Sequence, residues 1–146
     1  MLIVRPSWDS TWMSMARVIK ARGTCPRLQV GAVLVTPMNK LAAVGYNGAP
    51  TLMPHCIDEG CILEGSHCVR AVHAELNAIL NTQLRQHGMT LYTTHYPCSR
   101  CMAALCQIGV KRIVYGADYR NTDETLVPEL AKRLRIELVS WKEMIR

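Results

Sequence analysis

Two short clusters constrain this chain more than anything else in it: His73-Ala74-Glu75 and Pro97-Cys98-Ser99-Arg100-Cys101. One imidazole and two thiols suit a zinc ion whose fourth position is left to water, which is the layout of a catalytic rather than a closed structural site. For three such donors to converge, the fold must bring the start of one segment against the start of another. The local pattern allows this. Ala74, Leu76, Ala78, Ile79 and Leu80 give residues 73–81 high helix propensity. Pro97 opens a second helix over 99–108, which Gly109 closes as a C-cap. A helix N-terminus carries the positive end of the peptide dipole and favours thiolates. Glu75 is not needed as a ligand. Two residues from His73, its carboxylate can take a proton from metal-activated water and later release it, base first and then acid. Alone, C-x-x-C also serves structural zinc knuckles and redox pairs, and a His before a helix is often a cap. Both clusters in this order point to metal-assisted catalysis rather than to a structural site.

The remaining pattern supplies a scaffold. Trp8, Trp12, Met15, Ala16 and Ile19 form one apolar stripe, predicting a helix over 8–22 that Gly23 stops. Residues 29–36 and 41–46 are β-rich and flank a turn at 37–39, which reads as a hairpin. Strands are expected over 90–95, 112–115 and 136–139. A helix is expected over 124–134, with Pro128 disturbing its start. Strands that alternate with helices after an opening hairpin imply an α/β fold, with helices on both sheet faces. Cys106, five residues beyond Cys101, reads as a small buried hydrophobe.

Residues 47–70 have little periodicity, yet hold Cys56, Cys61, His67, Cys68 and, as a fifth candidate donor, His55. So long a loop is usually functional or held by something, and a metal would replace the missing core. The chain has seven cysteines, which in a reducing compartment suit metal ligation better than disulfides. The whole of 1–146 is expected to be one domain. The apolar run 1–4 ends at Arg5-Pro6, too short for a signal-peptide core, and no apolar stretch approaches membrane-spanning length. A cytoplasmic protein, of a bacterium or of a phage- or virus-infected host, is expected. The net charge of +6 favours anionic partners such as nucleotides or nucleic acid. The charge is scattered rather than run into a basic tract, which argues against a nucleic acid.

The sequence resembles the deoxycytidylate (dCMP) deaminases of the cytidine deaminase superfamily over roughly residues 8–140. The stretches that carry the likeness are Val30-Gly31-Ala32-Val33, Gly45-Tyr46-Asn47-Gly48, His73 through Ile79, Pro97 through Cys101, and Gly109-Val110-Lys111-Arg112. The resemblance implies a three-layer α/β/α fold around a mixed sheet of about five strands. It implies hydrolysis of dCMP to dUMP and ammonia, feeding thymidylate synthesis. His73, Cys98 and Cys101 would hold the catalytic Zn²⁺, and Glu75 would protonate N3 of the pyrimidine. Ala74 would contact the base through its backbone, Asn47 the sugar, and Tyr119 the nucleotide. Arg27 is the favoured phosphate partner, with Arg100 and Arg120 as rivals. A second, structural Zn²⁺ is implied at Cys25 and Cys56, with Cys61, His67 and Cys68 competing for two places. Cys61 and Cys68 are favoured and His67 is the substitute. The resemblance further implies a homo-oligomer, hexamer favoured over dimer. It also implies activation by dCTP, with Mg²⁺ accompanying that effector, inhibition by dTTP, and an effector site at Gly45, Tyr46, Asn47 and Gly48. Two alternatives stay open: a deaminase of dCTP, cytidine, guanine or transfer-RNA adenosine, and a non-catalytic zinc- or nucleotide-binding module.

Overall fold

The strand Gly31–Val35 (β1) is buried at all five positions, so both of its faces must be covered. A computed structural model, which describes residues 1–117 and 125–144, shows how. β1 pairs antiparallel with Leu41–Tyr46 (β2) on one side and with Met89–His95 (β5) on the other. β5 then pairs parallel with Val110–Ala117 (β6), and β6 with Glu137–Ser140 (β7). The result is one mixed five-stranded sheet in the order β2-β1-β5-β6-β7.

Helix Trp8–Lys20 (α1) is capped by the Ser7 hydroxyl, which accepts the Ser10 backbone N–H. It covers one face. There Trp12, Met13 and Ala16 pack with Val33, Val35, Tyr92 and Val114, together with Trp141 of the terminal turn Trp141–Met144 (α6). The other face lies under Ala74–Asn81 (α3), Ser99–Ile108 (α4) and Leu126–Leu134 (α5), around Leu34, Leu91, Met102, Leu105 and Ile113. This is the expected three-layer arrangement. Helix and strand ends fall within a few residues of expectation. Pro128 sits in the first turn of α5, where its missing N–H has no intrahelical acceptor to lose. Cys106 is half-buried and packs against the same core. Gly109, at φ 96°, closes α4 in the left-handed region.

Two glycines let the helices approach. A Cβ at Gly31 would stand 2.1 Å from the Ala16 carbonyl oxygen of α1, and one at Gly45 would stand 2.2 Å from that of Ala74 in α3. The segment expected to be a plain loop instead contains a short helix, Cys56–Glu59 (α2), and a two-stranded ribbon, Leu63–Glu64 (β3) with His67–Cys68 (β4). Its ends are tied by Gly48 and Val72, whose backbones exchange hydrogen bonds of 3.2 and 2.8 Å. No helix among the described residues is long and apolar enough to cross a membrane.

Candidate active site

The two motifs meet as helix caps. His73 precedes α3 and Cys98 precedes α4, each in extended backbone just before the first turn. Their side chains converge. His73 Nδ1 lies 3.5 Å from Cys98 Sγ and 3.4 Å from Cys101 Sγ. All three donor atoms fall within 4.8 Å of one another. Glu75, one turn face away on α3, is 4 % exposed. Its Oε1 accepts from the Thr93 hydroxyl at 3.4 Å and its Oε2 from the Cys101 thiol at 3.7 Å.

The electrostatics of this cluster follow from its crowding. Hydrogen bonding from Cys101, then from His73, brings the Cys98 thiol down to about 4. The Cys101 thiol is pushed far up by its bond to that thiolate and by burial. His73 is raised, chiefly by Cys98. Burial raises the Glu75 carboxyl. Two thiols held in opposite directions and an imidazole share one small space, a crowding that a divalent cation bound by all three would relieve. The donor set therefore fits zinc.

A cavity of ≈ 240 Å³ opens beside Glu75 and is lined also by His73, Cys98, Asn47, Arg27 and His95. Most of the chain also matches a protein family. Residues 6–117 match the family described as the cytidine and deoxycytidylate deaminase zinc-binding region.

The chain belongs to this deaminase family. ComE operon protein 2 of Bacillus subtilis is 38 % identical over 146 residues, covering 97 % of this chain and 76 % of that protein. The deoxycytidylate deaminase of Saccharomyces cerevisiae is 34 % identical over 131 residues, covering 84 % of this chain. The chain spans only 42 % of that yeast protein's length. The crystal structure of a dCMP deaminase from cyanophage S-TIM5, in complex with dCMP and dUMP, superposes with a TM-score of 0.78 at 29 % identity. That match covers 94 % of this chain and 99 % of the phage enzyme.

In this deaminase the remaining motifs hold the site helix in place. Gly45 admits the backbone of α3, and Asn77 Nδ2 donates to the Tyr46 carbonyl oxygen at 2.8 Å. Asn47 is buried and bridges backbone. Its Oδ1 accepts from Val30 N at 2.8 Å and its Nδ2 donates to the Leu28 carbonyl at 2.7 Å. Only its second Nδ2 hydrogen and second lone pair are left to offer a sugar. Ala74 is buried and lines the cavity. Arg27 lines it too, and donates to the Ser66 carbonyl at 3.1 Å. Arg100 is exposed and does not line it. Tyr119 and Arg120 lie outside the described residues.

A second thiol cluster adjoins the cavity, which its Cys25 and Cys68 help to line. Cys25, Cys56 and Cys61 place their sulfurs within 4.8 Å of one another. Cys68 joins through Cys56, at 3.5 Å, while Cys25 and Cys61 are 3.9 Å apart. Burial, then hydrogen bonding from Cys68, pushes the Cys56 thiol up to about 12. Burial acts the same way on Cys68, but backbone N–H groups of Ala71 and Arg70 outweigh it and bring that thiol to about 7. His67 is exposed and lines the cavity beside Cys68. His55 is occupied elsewhere: its Nδ1 accepts from Ala49 N and faces the Thr24 hydroxyl, each at 3.1 Å. Sequence reasoning overlooked Thr93, Thr94 and His95. The available signal was polar residues continuing the inward alternation of a strand otherwise buried.

Proposed function

We propose that the protein hydrolyses dCMP to dUMP and ammonia. The observation that carries this reading is the buried Glu75 carboxyl set against a His-Cys-Cys donor set at the wall of one cavity, since a structural metal site has no use for such an acid. The family membership, the deoxycytidylate deaminases among its relatives and the phage complex with dCMP and dUMP support the substrate.

In this reading His73, Cys98 and Cys101 hold the zinc. Bound there, zinc supplies the Lewis acidity that makes water nucleophilic near neutral pH. Glu75 accepts a proton from that water and delivers it to N3 of the pyrimidine. After attack at C4, Glu75 takes the remaining proton from the new C4 hydroxyl and passes it to the exocyclic amine, so the C4–N bond breaks, ammonia leaves and the C4 carbonyl of dUMP forms. The Thr93 hydroxyl, 3.4 Å from Oε1 and 3.1 Å from the His95 carbonyl oxygen, is the polar neighbour of the carboxyl on the sheet side. Ala74 presents backbone to the base, and Arg27 meets the phosphate, for which a guanidinium is well matched. The burial of Glu75 excludes bulk water from the proton transfers.

The second thiol cluster is read as a structural zinc site of Cys25, Cys56, Cys61 and Cys68, which would hold a lobe with little core of its own. A cytosolic setting fits seven unpaired cysteines. Control by dCTP with Mg²⁺ and by dTTP at Gly45, Tyr46, Asn47 and Gly48, and assembly as a hexamer, belong to the same proposal. The decisive experiment is an ultraviolet assay of zinc-loaded protein against dCMP, dCTP, cytidine and deoxycytidine. Loss of cytosine absorbance fastest with dCMP is expected. Equal turnover of cytidine, or none of the four, would overturn the substrate assignment.

A further inference from the structure

The cavity contains an imidazole to which the chemistry above gives no task, His95. Residues alternate along β5, so Leu91, Thr93 and His95 share a face. Leu91 is in the core and Thr93 reaches Glu75; His95 is the next residue on that face and lines the cavity.

Its neighbours determine which nitrogen carries hydrogen. His95 Nδ1 lies 3.0 Å from the Thr94 hydroxyl. That hydroxyl already accepts the Gly31 backbone N–H at 3.1 Å, and Thr94 is buried. A threonine hydroxyl has one proton to donate, and among its described contacts His95 Nδ1 is the acceptor available to it. With hydrogen on Nδ1 instead, the Thr94 proton would be buried without an acceptor, which folded proteins avoid. The relay therefore runs one way, from Gly31 N–H to Thr94, and from Thr94 O–H to Nδ1. Burial, and then the charge of Lys20, hold the ring below the usual histidine range, so it is neutral and its remaining hydrogen is on Nε2.

We propose that Thr94 fixes His95 as the Nε2–H tautomer, and that this N–H donates to an uncharged oxygen of the nucleoside part of the substrate, the pyrimidine carbonyl or a sugar oxygen. His95 is then a specificity-determining residue and Thr94 a positioning residue. The inference rests on the nucleotide-deaminase reading above. A neutral donor matches an uncharged acceptor, whereas a phosphate on the same cavity is matched by Arg27. An Nε2–H also discriminates: it meets a carbonyl but repels an exocyclic amine, so it sets which edge of the base faces it.

The test uses the zinc-loaded full chain with ¹⁵N-labelled histidine. The expected spectrum assigns hydrogen to Nε2 of His95. Thr94→Val is expected to shift the ring toward the other tautomer, and Thr94→Ser to restore it. A histidine that merely packs would not follow the hydroxyl in this way. Binding of the product dUMP and of deoxyuridine is then measured for wild type and His95→Phe. A loss of about tenfold on both ligands, the ordinary worth of one hydrogen bond, is expected. Loss on dUMP alone would put the acceptor on the phosphate and overturn the proposal, as would no loss on either, or an Nδ1–H ring. If His95→Phe fails to fold, Thr94→Val, which keeps the ring, gives the same reading from the two affinities. Wild-type protein that neither binds dUMP nor turns over dCMP would instead refute the nucleotide reading itself.

Discussion

Replacing Gly45 by alanine would strike the contact that sets the active-site helix. The new Cβ would stand 2.2 Å from the Ala74 carbonyl oxygen and 2.4 Å from Ala78 N, both backbone atoms that cannot swing aside. Ordinary contact begins at 3.4 Å, so α3 must withdraw from β2 by about 1 Å. Overpacking of this kind costs about 1–3 kcal/mol. For a chain of this size, that lowers the thermal midpoint by roughly 3–10 °C. The functional cost is larger. His73 caps α3 and Glu75 lies in its first turn, while Cys98 and Cys101 belong to α4, so the withdrawal pulls the two halves of the site apart. A misplacement of about 1 Å can cost on the order of a hundredfold in rate. Gly48→Ala is the control from the same motif, because its Cβ would first meet the Tyr46 ring at 3.2 Å and the His55 ring at 3.4 Å, side chains that can yield. Thermal unfolding, bound zinc and steady-state kinetics would be measured on both variants. An unchanged midpoint and turnover in Gly45→Ala would refute the packing argument, as would equal damage in Gly48→Ala. Intact basal turnover with a lost effector response would assign Gly45 to regulation instead.

Glu75→Gln keeps the shape of a buried side chain but cannot accept a proton; turnover should fall about 100- to 10,000-fold while zinc content and midpoint persist, read by metal analysis beside the ultraviolet assay. Asp9→Asn removes the bidentate one of Arg112's two carboxylate partners, bonded at 2.7 and 2.9 Å, leaving Glu137 at 3.3 Å, and should cost about 2 kcal/mol at pH 7 by denaturant titration. Arg112 holds the Asp9 carboxyl below its usual range in the fold, so this contribution is complete above the unfolded value of about 3.9 and is lost as the pH falls through the lower folded one. The difference between wild type and Asp9→Asn should accordingly narrow in acid. Removing metal with a strong chelator should expose the amides of residues 48–72 to hydrogen exchange before those of the central strands. Leu105→Ala, at a fully buried position of α4, should cost about 2–5 kcal/mol by the same titration.

The meeting of His73, Cys98 and Cys101 was legible because propensity, Pro97 and Gly109 mark two helix starts, and a shared metal requires them to converge. The sheet was legible because valine-rich runs alternate with amphipathic helices. The lobe was not. Strands of two residues and a helix of four are shorter than any period that could announce them, and tertiary contacts set their geometry. His67 and Cys68 are adjacent in sequence, and that the Cys68 sulfur comes within 3.5 Å of Cys56 depends on the fold of the ribbon, which no local pattern announces. Asn47 illustrates a different limit. The family resemblance implied a sugar contact for it, and the structure adds two bonds that hold the Leu28 to Val30 backbone, a task invisible without the neighbouring strand. Thr93 and His95 were readable from alternation alone, but threonine is also an ordinary strand former and drew no notice.

The Asp9 and Arg112 pair joins positions 103 residues apart, and Tyr92, donating to the same carboxylate at 2.6 Å, comes almost as late in the chain. During synthesis the first helix therefore emerges long before the two groups that hold the Asp9 carboxylate, although Trp12 can already donate to Asn39 at 2.7 Å once the first hairpin is out. The hairpin of β1 and β2 can close early, being local, but the centre of the sheet waits for β5 and β6. The order of emergence makes the N-terminal helix one of the earliest parts to form and one of the last to be locked, so nascent chains halted before residue 110 should leave it open to protease while chains released past β6 should not.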